Sequence, residues 1–225
     1  MHVAVVYSLP SSRLAGTKYS ETDEDSAVIA GKVVLALESR GVRTTTYAIS
    51  EDSIDEILKI KADCIFNLIE WCGLDITLSQ RAFACFRQLN IPVTGSSEEL
   101  FVLTGDKARL KLALQEAGVP TPSGAFFETG DEEIPSDLTY PVIVKPSLEH
   151  CSTGLGYDSI AQTSAELRPI IKRQIADFGQ RVIAEEFIIG RELLVYLLEV
   201  EDEVKVLPIE EILFKGENPL VFQTY

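Results

Sequence analysis

The chain has 225 residues, 46% of them hydrophobic, and a formal net charge of −15. That composition builds a packed globular core rather than a disordered chain. With no block of Lys or Arg, the acidic balance excludes nucleic acid and anionic membrane surfaces as partners. No apolar run approaches the roughly 20 residues that a membrane-spanning helix needs. An anionic ligand must therefore be held by a few local cations against an unfavourable overall field. Cys64, Cys72, Cys85 and Cys151 show no CxxC spacing and are accompanied only by His2 and His150. A zinc site is therefore not expected, and thiols in a reducing cytosol are the simpler reading. The first apolar run, Val3 to Tyr7, is too short for a signal peptide, which fits a cytoplasmic location.

In chain order, residues 2–7 read as a buried first strand, followed by a polar loop from Ser8 to Glu21. A helix is expected from about Thr22, capped by Thr22 with Asp25, with the apolar face Ala27, Ala30, Val34 and Leu37 and a stop at Gly41. Thr44 to Ile49 reads as a second strand. Ser53 to Ile60 reads as a short helix capped by Asp52 or Ser53, and Asp63 to Leu68 as a third strand. A loop, Glu70 to Asp75, lies at the carboxyl end of that strand, where open α/β sheets bind ligands. A helix follows to about Leu89, then Ile91-Pro92-Val93. This alternation predicts a small parallel-sheet domain.

Ser97 to Leu103 and the segment opened by Asp106-Lys107 read as helices. Val119-Pro120-Thr121-Pro122 is an extended breaker. Ala125 to Phe127 is expected as a strand and Glu128 to Thr139 as an acidic loop. Thr163 and Glu166 suggest a capping box for a helix whose face is Leu167, Ile170, Ile171, Ile175 and Phe178, with Pro169 predicting a kink or a later start. Val182 to Phe187, Glu192 to Val200 and Val204 to Phe214 read as strands, the last two joined by the acidic turn Glu201-Asp202-Glu203. Meandering strands around one helix make an α+β second part.

The stretch with most chemistry is Tyr140 to Gly156, YPVIVKPSLEHCSTGLG. A β-branched run delivers Lys145 to the end of a sheet, and a loop of small and hydroxyl residues, Ser152 to Gly156, follows. A compact ammonium with closely approaching backbone N–H groups suits the phosphates of a nucleotide. Lys107 opens a helix, where a cation opposes the dipole unless an anion lies nearby.

Four segments then resemble, in order, the D-alanine–D-alanine ligase group of the ATP-grasp superfamily. Ile91 to Ser96 with Asp106-Lys107-Ala-Arg109-Leu-Lys111 is similar to its PYTGS and DK-x-R-x-K signatures. Tyr140 to Ser147 is similar to its VIVKPS strand, Glu149 to Gly154 to its phosphate-covering loop, and Glu185 to Glu192 to its E-K-W/F-x-x-G-x-E segment. The resemblance implies an α/β fold: a parallel-sheet pre-ATP-grasp domain (1–96), a helical connector (97–122) and an incomplete α+β ATP-grasp nucleotide-binding subdomain (123–225). It implies a carboxylate–amine ligase that forms an amide through an acyl phosphate, using ATP and Mg²⁺ with amino-acid or peptide substrates, and dimerising through the first domain. By position, Lys107 and Lys145 would bind ATP phosphates and Ser152 and Gly154 would cover them. Glu185 would lie at the adenine hinge and Glu192 would accept from the ribose hydroxyls.

Two departures stand out. The loop after the third strand, Asn67-Leu-Ile69-Glu70-Trp71-Cys72-Gly73-Leu-Asp75, lacks the family's histidine, so Glu70 and Trp71 are candidates for a different acceptor pocket. No Glu-x-Asn occurs, and the family's metal ligands fall beyond Tyr225. The chain is therefore expected to be inactive by itself, with no metal ligand of its own. The alternative is a noncatalytic nucleotide-binding module or one subunit of a split ATP-grasp enzyme.

Overall fold

The computed structural model describes residues 1–13, 20–200, 203–216 and 218–222, with only the backbone described over 20–25. The first sheet is parallel, with β1 (His2–Ser8) between β2 (Arg43–Ile49) and β3 (Cys64–Leu68). The apolar run of β1 is continuous because both of its faces are covered. Val3 and Val5 pack on α1 (Ser20–Glu38) through Ala30, Val33, Val34 and Leu37. Ala4 and Val6 face Ile49, Ile54, Ile57 and Ile65. Each fully buried Val or Ile contributes roughly 2 kcal/mol by leaving water. The α1 backbone is already helical at Ser20, and the side chains of the Thr22–Asp25 cap lie outside the described residues.

The expected second helix is a 3-10 turn, Ile54–Lys59, and Ser53 does not cap it. The Ser53 hydroxyl instead accepts from the Ser50 N–H at 2.8 Å, a local bond that competes with capping. Ile91 to Val93 meets the sheet through a single parallel bridge, Ile65 to Val93. Between them, α2 (Ile76–Leu89) buries Ser79, Ala82, Phe83 and Phe86, one stripe at helical spacing, and stops at Asn90 in a left-handed conformation (φ 52°).

Two short helices follow, α3 (Glu98–Thr104) and α4 (Lys107–Glu116). Asp106 caps α4 by accepting from the Ala108 N–H at 2.9 Å. The second sheet is antiparallel, in the order β4 (Gly124–Phe127), β7 (Val182–Glu186), β5 (Val142–Pro146), β6 (Ile160–Ala161). One face packs on α5 (Ser164–Phe178): Phe127, Val142, Val144, Val182 and Ala184 meet Leu167 and Ile171. Period-two alternation puts Ile143, Lys145, Ile183 and Glu185 on the other face.

The capping box of α5 is not formed as expected. Thr163 is the N-cap, but its side chain accepts no capping bond, and Glu166 instead accepts from the Gln162 N–H at 2.7 Å. Of the kink or later start expected from Pro169, the later start does not occur: the helix begins at Ser164, directly after Thr163. Pro169 lies only one turn in, so it removes a single early N–H bond that the buried Leu167 and Ile171 offset.

The two long strands expected at the end are broken. β8 (Glu192–Leu194) pairs with β11 (Glu210–Ile212), and β9 (Leu197–Val200) pairs with β10 (Glu203–Val206). Residues 201 and 202 of the expected acidic turn lie outside the described residues. The resulting hairpin is exposed along both faces, Leu197, Val204 and Val206 each by more than half.

Candidate functional site

The second sheet, the loop after β5 and the start of β8 bring four of the six predicted residues to one cavity of about 380 Å³. Its lining includes Lys145, Ser152, Glu185 and Glu192, with Ile143 and Phe222 as apolar walls. Register explains the first pairing. Ile143 stands opposite Glu185 and Lys145 opposite Ile183, so Lys145 and Glu185 are diagonal neighbours on one face. The Lys145 ammonium donates to Glu185 Oε1 at 2.9 Å.

Lys111, from α4, donates to the other oxygen of Glu185, Oε2, also at 2.9 Å, and to the Thr121 hydroxyl at 2.8 Å. Glu185 is thus a carboxylate shared by two lysines. Burial works to raise its pKa, but the Lys145 charge and the hydrogen bonds from Lys145 and Lys111 outweigh it and hold the group below its ordinary range. Lys111 was visible only as part of the DK-x-R-x-K run. Its signal was the i,i+4 spacing from Lys107, which puts both on one side of α4.

Lys107 reaches the same region from the helix N-terminus but does not line the cavity. Its backbone N–H donates to the Ser147 carbonyl at 3.0 Å, and its ammonium donates to the Glu149 carbonyl. Desolvation first, and repulsion from Lys145 second, lower its pKa to about 8. Arg181 secures the start of this helix, donating to both oxygens of Asp106 at 2.9 Å.

The loop after β5 turns through two successive left-handed non-glycine residues, Cys151 (φ 53°) and Ser152 (φ 55°), followed by Gly154 (φ 75°). Gly154 lies outside the cavity lining and has a packing reason for its lack of side chain. A Cβ there would stand 2.1 Å from Phe178 Cζ. Glu192 begins the hairpin, whose base is closed by Arg191 donating to Glu211 at 2.8 and 2.7 Å.

Glu149 is a residue that sequence reasoning left as a loop position. It is 3% exposed. It accepts from Gln180 Nε2 at 2.9 Å and lies 3.6 Å from the Arg13 guanidinium, with the Cys72 thiol at 3.7 Å. Arg13 also pairs with Asp75 at 2.9 Å, so the carboxylate joins the first sheet's loops to the second sheet. Trp71, expected as a possible pocket wall with Glu70, is core instead: 2% exposed, with its indole N–H donating to the Leu9 carbonyl at 2.8 Å.

Mg²⁺ takes carboxylate and phosphate oxygens. Among the described residues the only cluster of three His, Cys, Asp or Glu ligand atoms is Glu70, His150 and Cys151. Of the cavity carboxylates, Glu185 is committed to two lysines.

Residues 114–223 match the family model described as D-ala D-ala ligase C-terminus. An uncharacterized protein of Sinorhizobium fredii is 37% identical over 158 residues, covering 70% of this chain and 45% of that protein. The D-alanine–D-alanine ligase of Methylococcus capsulatus is 35% identical over 176 residues, covering 77% of this chain and 55% of that protein. The chain thus spans about half the length of these curated relatives. Among solved structures, the Bacillus anthracis D-alanine–D-alanine ligase complexed with ATP superposes with a TM-score of 0.71 at 20% identity, over 96% of this chain and 67% of that one.

Proposed function

We propose that the chain is a D-alanine–D-alanine ligase-like protein of the ATP-grasp superfamily and that its cavity holds ATP for a carboxylate–amine ligase reaction. In that reaction a carboxylate takes the γ-phosphoryl group, and an amine then displaces phosphate from the acyl phosphate to form an amide. The observation that carries the reading is the shared carboxylate. Glu185 and Lys145 line the cavity together with Ser152 and Glu192, and Glu185 accepts from the ammoniums of both Lys145 and Lys111.

Phosphoryl transfer is mostly positioning and charge neutralisation. Lys145 supplies a cation already aimed by its partner, and Lys107 supplies a second one from another element. The left-handed turn at Ser152 presents a hydroxyl and backbone amides to the phosphates. Glu192 accepts from the ribose hydroxyls, for which a carboxylate is a good partner. Mg²⁺, if used, is brought with the nucleotide or held by residues other than the cluster found here. The substrates that supply carboxylate and amine are amino acids or peptides, in keeping with the D-alanine ligases among the relatives.

Isothermal titration of the protein with ATP in the presence of Mg²⁺ tests the site. Lys145→Ala is expected to weaken ATP binding by about tenfold or more, the usual cost of removing a charge-assisted hydrogen bond. Unchanged affinity would remove Lys145 from the site. ATP binding without phosphate release against any amino acid, in the complete protein, would favour the noncatalytic nucleotide-binding module.

A further inference from the structure

Glu70, His150 and Cys151 come from two segments that are distant in sequence, yet their ligand atoms all lie within 4.8 Å of one another. Cys151 Sγ stands 3.1 Å from His150 Nδ1 and 3.8 Å from Glu70 Oε1, and the same His150 nitrogen is 3.9 Å from Glu70 Oε1. Four ligands bound tetrahedrally at about 2.0 to 2.3 Å stand about 3.3 to 3.8 Å apart. For these ligand types the edges would be about 3.5 Å for S–N and S–O and about 3.3 Å for N–O, so the three observed edges come within about 0.6 Å of one face of that tetrahedron.

The donors are one sulfur, one imidazole nitrogen and one carboxylate oxygen. That mixture suits a zinc-class divalent cation, whereas Mg²⁺ and Ca²⁺ take oxygen alone. A Cys–His–Glu relay would use both ring nitrogens, one towards the thiol and the other towards the carboxylate. Here thiol and carboxylate converge on a single nitrogen, which is the arrangement of a shared central ligand.

Both segments are fixed by other contacts. The Glu70 N–H donates to the Ser8 hydroxyl at 3.0 Å, next to the buried Trp71. The Thr153 N–H donates to the His150 carbonyl at 3.0 Å, closing the turn.

We propose that Glu70, His150 and Cys151 form a three-ligand site for a zinc-class divalent cation, with a fourth position open to water or an anionic oxygen. The adjacency of a lone His-Cys pair gave no spacing signal. The third ligand is supplied by the fold, which lays the loop after β3 against the turn after β5. Occupancy would tie the turn that carries Ser152 to the first sheet.

The test needs no nucleotide and so is independent of the ATP site. Untagged protein is titrated with Zn²⁺ against a chromophoric chelator, and separately with Co²⁺ while the near-ultraviolet thiolate-to-cobalt band is recorded. One equivalent of Zn²⁺ is expected to bind, and the cobalt band is expected in the parent protein. His150→Ala and Cys151→Ser should each weaken Zn²⁺ by more than about tenfold, since even outer-shell changes commonly cost that much. Glu70→Gln should weaken it less, and Cys64→Ser should leave it unchanged. No cobalt band, or equal Zn²⁺ affinity in the parent, His150→Ala and Cys151→Ser proteins, would overturn the proposal. Far-ultraviolet circular dichroism confirms that the variants fold, and the cobalt band needs no variant at all.

Discussion

The strand side and the loop side of the cavity are built on different physical terms. On the strand side, Lys145 and Glu185 are set by sheet register, and Lys111 is added from α4 to complete a largely buried ion triad. On the loop side, Cys151, Ser152 and Gly154 run through left-handed backbone and are held by hydrogen bonds and by the ring of Phe178. The first is stabilised by charges that must stay paired. The second is stabilised by the absence of side-chain atoms. The cavity thus has one half set by paired charges and one half bounded by a turn whose backbone depends on a glycine outside the lining.

Removing the shared carboxylate should have the largest effect. Glu185→Ala leaves Lys111 and Lys145 unpaired, with side chains 10% and 27% exposed, and is expected to cost about 3 kcal/mol of unfolding free energy. Urea denaturation reads this directly, and a loss below about 1 kcal/mol, the range of surface pairs, would show that the triad is solvated rather than structural.

Gly154→Ala comes next. A left-handed φ and a Cβ forced against Phe178 together should cost about 2 kcal/mol. Phe178→Leu in the same protein should restore part of that stability if the clash is the cause. If instead the glycine serves phosphate approach, ATP affinity would fall and stay low in the double variant.

The smallest effect is a pH dependence that joins the two halves. Lys107 has its pKa lowered to about 8 by burial and by Lys145, while Glu149, Cys72 and Glu185 act to raise it. A bound polyanion keeps the ammonium charged, so ATP should bind most tightly below about pH 8. Affinity should then weaken as pH rises through that value, by no more than about tenfold per unit. For folding, the sign is opposite: the unfolded chain binds more protons between about pH 8 and the ordinary lysine pKa, so this group lets stability rise with pH there. ATP titrations across that range check the binding arm, and Lys107→Ala should flatten it.

The strand half was readable from the chain because Val142-Ile143-Val144 and Val182-Ile183-Ala184 carry their periodicity locally, and Lys145 sits at the end of one of them. The parallel sheet and α2 followed for the same reason. What was not readable depends on tertiary meeting. Lys111 looked like one more helix lysine until Glu185 stood opposite it. Glu149 is a loop carboxylate whose burial comes from Gln180, Arg13 and Cys72, all far away in sequence. Trp71 offered itself as a ligand surface, but Leu9 and the core claimed it. The final strands kept their apolar β-pattern yet broke into short pairs, because no second layer covers them among the described residues.

Glu149 also has a consequence for how this chain can vary. A side chain at position 73 would begin 2.4 Å from Glu149 Oε1, and Gly73 has φ 59° as well. A side chain at position 73 would therefore have to push the Glu149 carboxylate off Gln180, and it would still sit on a left-handed backbone that only glycine adopts without strain.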